Sequence, residues 1–267
     1  MNDTLLARIV SKVLLPVIIG VMRIFFSILV LLPSLAFAFT SGQDITALQK
    51  KTAAMPLGER IAFWAERFVG TPYDDDPMGE YVRREVIVSD ERVDCMYLTF
   101  RSVELAMGRD SGDSLRISLD RRFIHTGKVN EGKVLNYEDR FKSGEEMLES
   151  GKWGEEVTSE IGDTSSITGP AGKQVFYLLP EEVLKRINRL QSGDIVYFIK
   201  PSGKISAGTI IGHLGTIKKE GGKVYLIHAS GRKGAGGRVK KVLFRNYLSA
   251  MPFAGIKVGR FPQDAQK

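Results

Sequence analysis

Few residues in this chain of 267 can do covalent chemistry, because it contains one cysteine, Cys95, and three histidines. A single thiol cannot form a disulfide within the chain or a four-cysteine zinc site, so Cys95 is either a small buried residue or a reactive one. It follows Asp94, a good N-cap, and opens a run without Gly or Pro that ends at Gly108. A cysteine at a helix N-terminus lies near unpaired backbone N–H groups, which favour the thiolate. The position indicates a nucleophile, with a buried structural cysteine as the alternative.

Two of the histidines, His213 and His228, fall in neighbouring predicted strands at 212–218 and 223–228. If the turn between these strands is Glu220-Gly221, the two histidines lie directly opposite each other on one face of the sheet. The small and apolar residues of that face predict that it is buried and closely packed: Gly215, Ile217, Val224 and Leu226. One imidazole could then take the thiol proton, while the second accepts a hydrogen bond and fixes the tautomer of the first.

Together with Cys95, the histidine pair predicts attack on an amide carbonyl, an acyl-enzyme and release by water, with the Cys95 backbone N–H binding the oxyanion. Two alternatives stay open: core histidines that only bond each other, and a catalytic zinc held by Cys95, His213 and His228. The sequence offers no evident general-base glutamate and no H-E-x-x-H spacing for zinc. We therefore expect a site without metal or cofactor. The third histidine, His125, lies in a basic loop and is expected to be solvated.

The elements that must position these residues predict an α+β fold, because helices come early and strands late. Residues 57–69 place Ile61, Trp64 and Phe68 at helical spacing. Residues from about 111 to 172 are rich in Gly, Ser and charge, and we expect an insertion that shapes a surface. The sequence also predicts a strand at 84–89, helices at 145–150 and 180–190, and strands at 174–179 and 194–200.

Composition excludes several classes of protein. With 43% hydrophobic and 26% charged residues and a mean hydropathy of -0.07, the chain is too apolar for a disordered protein and too polar for a polytopic membrane protein. We expect one catalytic domain over residues 39–267. Phosphate-loop and dinucleotide signatures are missing, and the glycine-rich residues 231–237 are expected to form a flexible loop. The net charge of +7 favours an anionic cell envelope or acidic glycan peptide over nucleic acid, with a solvated basic face as the alternative.

Residues 1–38 are typical of a secretory signal peptide. From Met22, a possible true start, a positive charge precedes an apolar stretch and the motif Ala36-Phe37-Ala38, which fits a signal cleavage site. The alternative is an uncleaved membrane anchor formed by residues 13–39. We therefore expect an exported, periplasmic or cell-envelope protein, with no stable membrane partner unless this segment is retained.

The motifs around these residues resemble the NlpC family of papain-like cell-wall cysteine hydrolases. They are Gly70-Thr71-Pro72-Tyr73, Val93-Asp94-Cys95, Gly193-Asp194-Ile195-Val196, Gly212-His213-Leu214-Gly215 and Leu226-Ile227-His228-Ala229-Ser230. Residues 57–259 further resemble the N-acetylmuramoyl-L-alanine amidase-like branch, whose insertion is similar to Gly127-Lys128-Val129-Asn130, Asn136-Tyr137, Asp139-Arg140 and Thr158-Ser159-Glu160-Ile161-Gly162. One departure is the sequence Met96-Tyr97-Leu98-Thr99-Phe100 after the cysteine, where the branch has a threonine-rich start. It affects the expected substrate specificity and leaves the nucleophile unchanged.

The resemblance implies a papain-like NlpC core in which the Cys95 helix packs on an antiparallel sheet that carries His213 and His228. It implies nucleophile, base and orienting roles for these three residues and a Tyr73 side chain lining the site. Asp94 and Ser230 match motif positions that flank the site. The implied activity is a cysteine-dependent hydrolysis of the N-acetylmuramoyl-L-alanine amide bond in peptidoglycan fragments. A stem-peptide endopeptidase of the same fold and a non-catalytic cell-wall binding module are the alternatives.

Overall fold

The structure is a computed structural model that describes residues 42–169, 172–205 and 209–262. The expected signal segment 1–38 and the alternative anchor 13–39 lie outside the described residues. Within the described ranges, no helix is both long enough and apolar enough to cross a membrane.

Helices and strands follow one another along the chain in the order expected for an α+β protein. The helices are α1 (Gly42–Thr52), α2 (Leu57–Arg67), α3 (Glu80–Arg83), α4 (Cys95–Met107), α5 (Ser111–Arg121), α6 (Gly144–Glu149), α7 (Thr158–Ile161), α8 (Pro180–Lys185) and α9 (Phe244–Ala250). The strands are β1 (Val129–Asn130), β2 (Lys133–Val134), β3 (Glu155–Glu156), β4 (Ser165–Thr168), β5 (Gln174–Tyr177), β6 (Ile195–Ile199), β7 (Ile211–Glu220), β8 (Lys223–Arg232), β9 (Gly236–Leu243) and β10 (Gly255–Arg260). Short 3-10 helices lie at Tyr137–Asp139, Ile187–Arg189 and Ser202–Lys204.

The main sheet is antiparallel throughout and has six strands in the order β3-β10-β6-β7-β8-β9. This confirms the predicted α+β class with an antiparallel sheet. The strand predicted at 174–179 is β5, which pairs with β4 outside the main sheet. Strands β9 and β10 were not predicted. The glycine-rich residues 231–237 are not a flexible loop, because Gly231 and Arg232 pair with Gly237 and Gly236 to close the β8–β9 hairpin.

Both faces of the main sheet are buried at its central strand β6, which explains why all five residues of β6 are hydrophobic. On one face, Ile195 and Tyr197 of β6 join a cluster with Trp64 of α2 and Phe100 of α4. On the other face, the alternate residues of β6 pack with α9 and with the strands that follow: Val196, Phe198, Ile217, Leu226, Phe244 and Leu248. Successive side chains of each strand therefore enter different halves of the core.

The strand predicted at 84–89 is wrong, and residues 84–89 form a loop. Its buried end is held by side chains. The Ile87 carbonyl accepts from Arg122 Nη1 at 2.7 Å, and the Ser89 N–H donates to the Tyr97 hydroxyl at 2.6 Å. Ile87 and Ser89 are both buried, and inward residues at alternate positions imitate the pattern of a strand.

Segment 111–172 contributes to the core as well as to the surface. It contains the unpredicted helix α5 and the fully buried side chains of Phe123 and Trp153, and the ring of Trp153 lies 4.6 Å from that of Phe100 on α4. The helix predicted at 145–150 is α6, which begins with a capping box between Ser143 and Glu146.

A buried network of charges fixes this segment and the preceding loop to the cysteine helix. Glu104 of α4 is fully buried and accepts from Arg122 Nε at 2.5 Å and Nη2 at 2.7 Å. Arg101 of α4 donates to both oxygens of Asp90, at 2.8 and 2.9 Å, and also contacts Glu104 at 3.2 Å. Opposite charges lower the pKa of Glu104 despite its burial. The network therefore stays ionised and holds the loop before Cys95 in place.

Replacing Arg122 by alanine should lower the free energy of unfolding by about 3–5 kcal/mol, because it leaves the Glu104 carboxylate buried without its bidentate partner. Chemical denaturation measures this loss. The control is Arg109→Ala, which removes an exposed arginine paired with Asp113 and should leave stability unchanged within error. Equal stability of the Arg122 variant and the wild type would contradict the structural role of the network.

Candidate active site

Cys95 is the first residue of α4, as the sequence predicts. Asp94 is the N-cap, with extended backbone angles and a side chain that accepts from the Tyr97 N–H at 2.8 Å. The residues before it are held by a parallel bridge between Tyr73 and Val93 and by a bond from the Asp74 N–H to the Val93 carbonyl, at 3.1 Å. The half-buried thiol is thus placed by a capped helix start that is tied to the 70–74 segment.

His213 and His228 form a hydrogen-bonded pair, in which Nε2 of His213 lies 2.8 Å from Nδ1 of His228. The prediction that they lie directly opposite each other is wrong. The β7–β8 turn is Gly221-Gly222, with positive φ of 56° and 73° at its two glycines, so Glu220 pairs with Lys223. The two histidines are therefore diagonal neighbours on the same face, which is still within reach of two imidazole rings.

In this register His228 faces Gly215. A Cβ placed on Gly215 would lie 3.2 Å from the His228 Cβ and 2.6 Å from Leu226 Cδ1, so the glycine makes room for the strand beside it. The paired residues of β7 and β8 run from Glu220–Lys223 to Thr216–Ile227, and His213, Leu214 and His228 lie beyond the last of these pairs. The regular β7–β8 pairing ends there although Gly215 and His228 remain close, and β7 continues beside β6.

The cysteine and the histidines approach the end of the β7–β8 pairing from different faces of the sheet. Cys95 packs with the cluster that contains Leu214, Ile227 and Ala229. The two imidazoles contact Phe198 and Tyr247 on the other face. The cysteine helix thus packs on the antiparallel sheet that carries the histidines, as the resemblance implies. The Cys95 sulfur accepts a hydrogen bond from the backbone N–H of Leu214 on β7, the residue next to His213.

The thiol is protonated in the free protein. Burial, then the Asp94 carboxylate, raise the pKa of Cys95 to about 12, against the opposing effects of the Leu214 N–H and Lys233. The expectation that the helix start favours the thiolate is therefore outweighed by burial. Among the described residues, no hydrogen bond joins the Cys95 sulfur to either imidazole.

Both imidazoles are neutral at pH 7. Burial, then the neighbouring His228, lower the pKa of His213 to about 3. Burial, then the charge of Lys240 on the paired strand β9, lower the pKa of His228 to about 4. A proton on His213 Nε2 would make His228 Nδ1 the acceptor and leave His213 Nδ1 with a free lone pair. No group in the described part of the chain hydrogen-bonds that nitrogen.

The other expected site residues surround the start of α4. The Tyr73 ring packs against Gly231, where an added Cβ would lie 2.2 Å from Tyr73 Cγ, and burial followed by the nearby Cys95 and Asp94 raise the pKa of Tyr73. Ser230 lies on β8 two residues after His228, is half-buried and pairs with Arg238 of β9. His125 is exposed, as expected, and its ring lies 3.2 Å from the Asp139 carboxylate.

Sequence reasoning missed Lys233, at the tip of the β8–β9 hairpin. Its ammonium lies 3.3 Å from Asp94 Oδ2 and 3.1 Å from the Asp74 carbonyl, and it sits 5.8 Å from the centre of the Tyr73 ring. The sequence predicts a flexible loop at residues 231–237, and a lysine in such a loop has no predictable partner. The contact forms because the β8–β9 hairpin brings Lys233 back to the start of α4.

The zinc alternative finds no support in the geometry of the described residues, where no three Cys, His, Asp or Glu side chains converge as metal ligands would.

Comparison with known proteins gives a likeness of fold. No protein-family model matches the chain, and no curated protein matches it. Among solved structures, an N-acetylmuramoyl-L-alanine amidase from Bacteroides uniformis matches with a TM-score of 0.58 and 18% identity over 76% of this chain and 98% of its own. A Legionella pneumophila protein of the DUF1460 family matches with a TM-score of 0.59 and 16% identity over 81% and 93%. A proposed xylanase from Bacteroides fragilis matches with a TM-score of 0.55 and 18% identity over 75% and 100%. The chain therefore shares its α+β fold with these proteins.

Replacing Asp94 by asparagine should speed alkylation of Cys95 by iodoacetamide several-fold at pH 8. Asparagine keeps the N-cap but removes the charge that raises the pKa of the thiol, so more thiolate is present. Lys233→Met should slow alkylation, because Lys233 lowers the pKa of the thiol. In the wild type the rate should rise about tenfold per pH unit between pH 7 and 9.

Asp76→Asn is the control, since this carboxylate pairs with Arg83 and should not affect the thiol. A wild-type rate that is constant from pH 7 to 9 would mean a stable thiolate and would contradict this account of the site.

Proposed function

We propose that this protein is an exported cysteine amidase that hydrolyses the N-acetylmuramoyl-L-alanine amide bond of peptidoglycan fragments. The proposal depends chiefly on one observation, the 2.8 Å hydrogen bond between His213 and His228. The pair lies beside Leu214, whose backbone N–H donates to the Cys95 sulfur. The resemblance of the motifs to the amidase-like branch, and the fold shared with an amidase from Bacteroides uniformis, support this choice of substrate.

The neutral groups of the free site favour general-base activation of the thiol. When substrate binds, Nδ1 of His213 takes the proton of Cys95 as the sulfur attacks the carbonyl carbon of the muramoyl lactyl group. The negative charge moves to the carbonyl oxygen, which accepts a hydrogen bond from the Cys95 N–H at the start of α4. His213, now an imidazolium, donates through Nε2 to the neutral His228.

Collapse of the tetrahedral intermediate breaks the carbon–nitrogen bond. The proton on His213 Nδ1 passes to the departing amine of L-alanine, and the lactyl carbonyl stays on the sulfur as a thioester. His213 then deprotonates a water that attacks the thioester. The muramic acid leaves with a free carboxylate, and the thiol takes its proton back. Lys240 beside His228 disfavours a second positive charge, so His228 stays an acceptor throughout.

Positive charge around the site supports an acidic substrate. The β8–β9 hairpin carries four exposed basic residues, Arg232, Lys233, Arg238 and Lys240, of which Lys233 contacts Asp94 at the start of α4 and Lys240 faces His228. The carboxylates of a muropeptide stem would be attracted to this side of the site.

Cys95→Ala and His213→Ala should each abolish release of intact stem peptide from muropeptides, by at least about a thousandfold for the cysteine, because both groups take part in acyl transfer. Mass spectrometry of the products makes the measurement, with His125→Ala as a histidine control of unchanged activity. Wild-type activity in Cys95→Ala would refute the mechanism. Shortened stems would mean an endopeptidase, and absence of turnover would favour a binding module.

Export predicts a mature chain that begins at Phe39, after Ala36-Phe37-Ala38. N-terminal sequencing of the protein recovered from the cell envelope tests this. A retained segment 13–39 would instead favour membrane anchoring.

A further inference from the structure

Aromatic rings enclose the two imidazoles on the sheet face opposite the cysteine helix. The Phe253 ring lies nearly parallel to His213, with centroids 6.1 Å apart and planes 6° apart. The Tyr247 ring lies across His228, with centroids 4.8 Å apart and planes at 67°. Phe198 of β6 joins them, 5.3 Å from Tyr247, 5.2 Å from Phe253 and 5.6 Å from His213. We call Tyr247, Phe253 and Phe198 the aromatic clamp.

The chain around His213 leaves room for this clamp. A Cβ on Gly212, the residue before His213, would lie 2.9 Å from Cε1 of Phe253, so a larger residue there would displace the ring. Tyr247 lies on α9 and Phe253 follows it, so one short segment after β9 supplies both rings. Tyr247 and Phe253 are each half-buried, whereas Phe198 belongs to the core of the sheet.

The clamp surrounds the histidines with apolar material, and few charges face them. His213 faces His228, and the Cys95 thiol approaches from the other side of β7. His228 faces Lys240 from β9 and the Tyr247 phenol from α9, whose pKa is raised to about 12 by burial and by the nearby Cys95. The stem of Lys200 lies beside Gly212, while its ammonium bonds to Thr209. Among the described residues, no carboxylate pairs with either imidazole.

We propose that Tyr247 and Phe253 are positioning residues of the site, whose rings hold His213 and His228 in their hydrogen-bonded pair and exclude water from it. This inference deepens the proposed function and rests on it for the effect on turnover. By burying the pair, the clamp keeps both imidazoles neutral at pH 7. Removing a ring should admit water, loosen the pair and make the imidazole easier to protonate.

The test is an NMR pH titration of the purified protein with 15N-labelled histidine, without substrate. Phe253→Leu should raise the titration midpoint of His213 by about one pH unit or more, and Tyr247→Leu should do the same for His228. Tyr247→Phe keeps the ring and should titrate like the wild type. Exposed His125 provides the reference signal, and Phe176→Leu, an exposed phenylalanine on β5, is the control substitution. Midpoints unchanged in both leucine variants would overturn the proposal.

A second measurement separates this inference from the proposed amidase activity. In Phe253→Leu, kcat for muropeptide hydrolysis should fall at a higher pH than in the wild type while KM changes little, because a base with a raised pKa is protonated sooner as the pH falls. A loss of kcat that is equal at every pH would indicate a merely structural effect and contradict the proposal. If the wild type hydrolyses no muropeptide, the proposed function fails, and the titration still decides whether the clamp acts on the histidines. Should Phe253→Leu fail to fold, Tyr247→Leu paired with Tyr247→Phe makes the same comparison at His228.

Discussion

The site depends on one interaction, the 2.8 Å hydrogen bond between His213 and His228 at the end of the β7–β8 pairing. The β7–β8 pairing ends at Thr216–Ile227. Beyond this pair, the side chain of Leu214 lies on the face covered by α4, and the side chains of His213 and His228 lie on the other face. Cys95 reaches this point from the layer of α2 and α4. The histidines reach it from the layer of α9.

Two sets of interactions hold the halves of the site, and they differ in kind. The cysteine half is fixed by charge, through Asp94 at the helix start and the buried Glu104–Arg122 pair further along α4. The histidine half is fixed by aromatic contacts around a 2.8 Å nitrogen–nitrogen bond. Burial then has the same consequence on both sides, since it disfavours the thiolate and the imidazolium alike. Cys95, His213 and His228 are therefore uncharged at rest, and the proton moves only when a substrate is attacked.

The sequence allowed the local features of the site to be predicted. A capping residue before a run of helix formers located Cys95 at a helix start, and period-two alternation put His213 and His228 on one face. The exact register was missed because two glycines with positive φ suit a two-residue turn better than the Glu-Gly pair assumed. Alternation shows which residues share a face of the sheet, but it does not show which helix covers that face. Lys233, Tyr247 and Phe253 come from distant segments, so no local pattern could place them beside the site.

The account makes Cys95 the group that becomes acylated, and trapping the intermediate tests this most directly. The protein is mixed with a muropeptide, quenched in acid within the first turnover and digested, and the peptide that contains Cys95 is weighed. We expect this peptide to carry the mass of the muramoyl group as a thioester. A peptide that stays unmodified while product accumulates, or that carries an acyl group from within the stem peptide, would contradict the account.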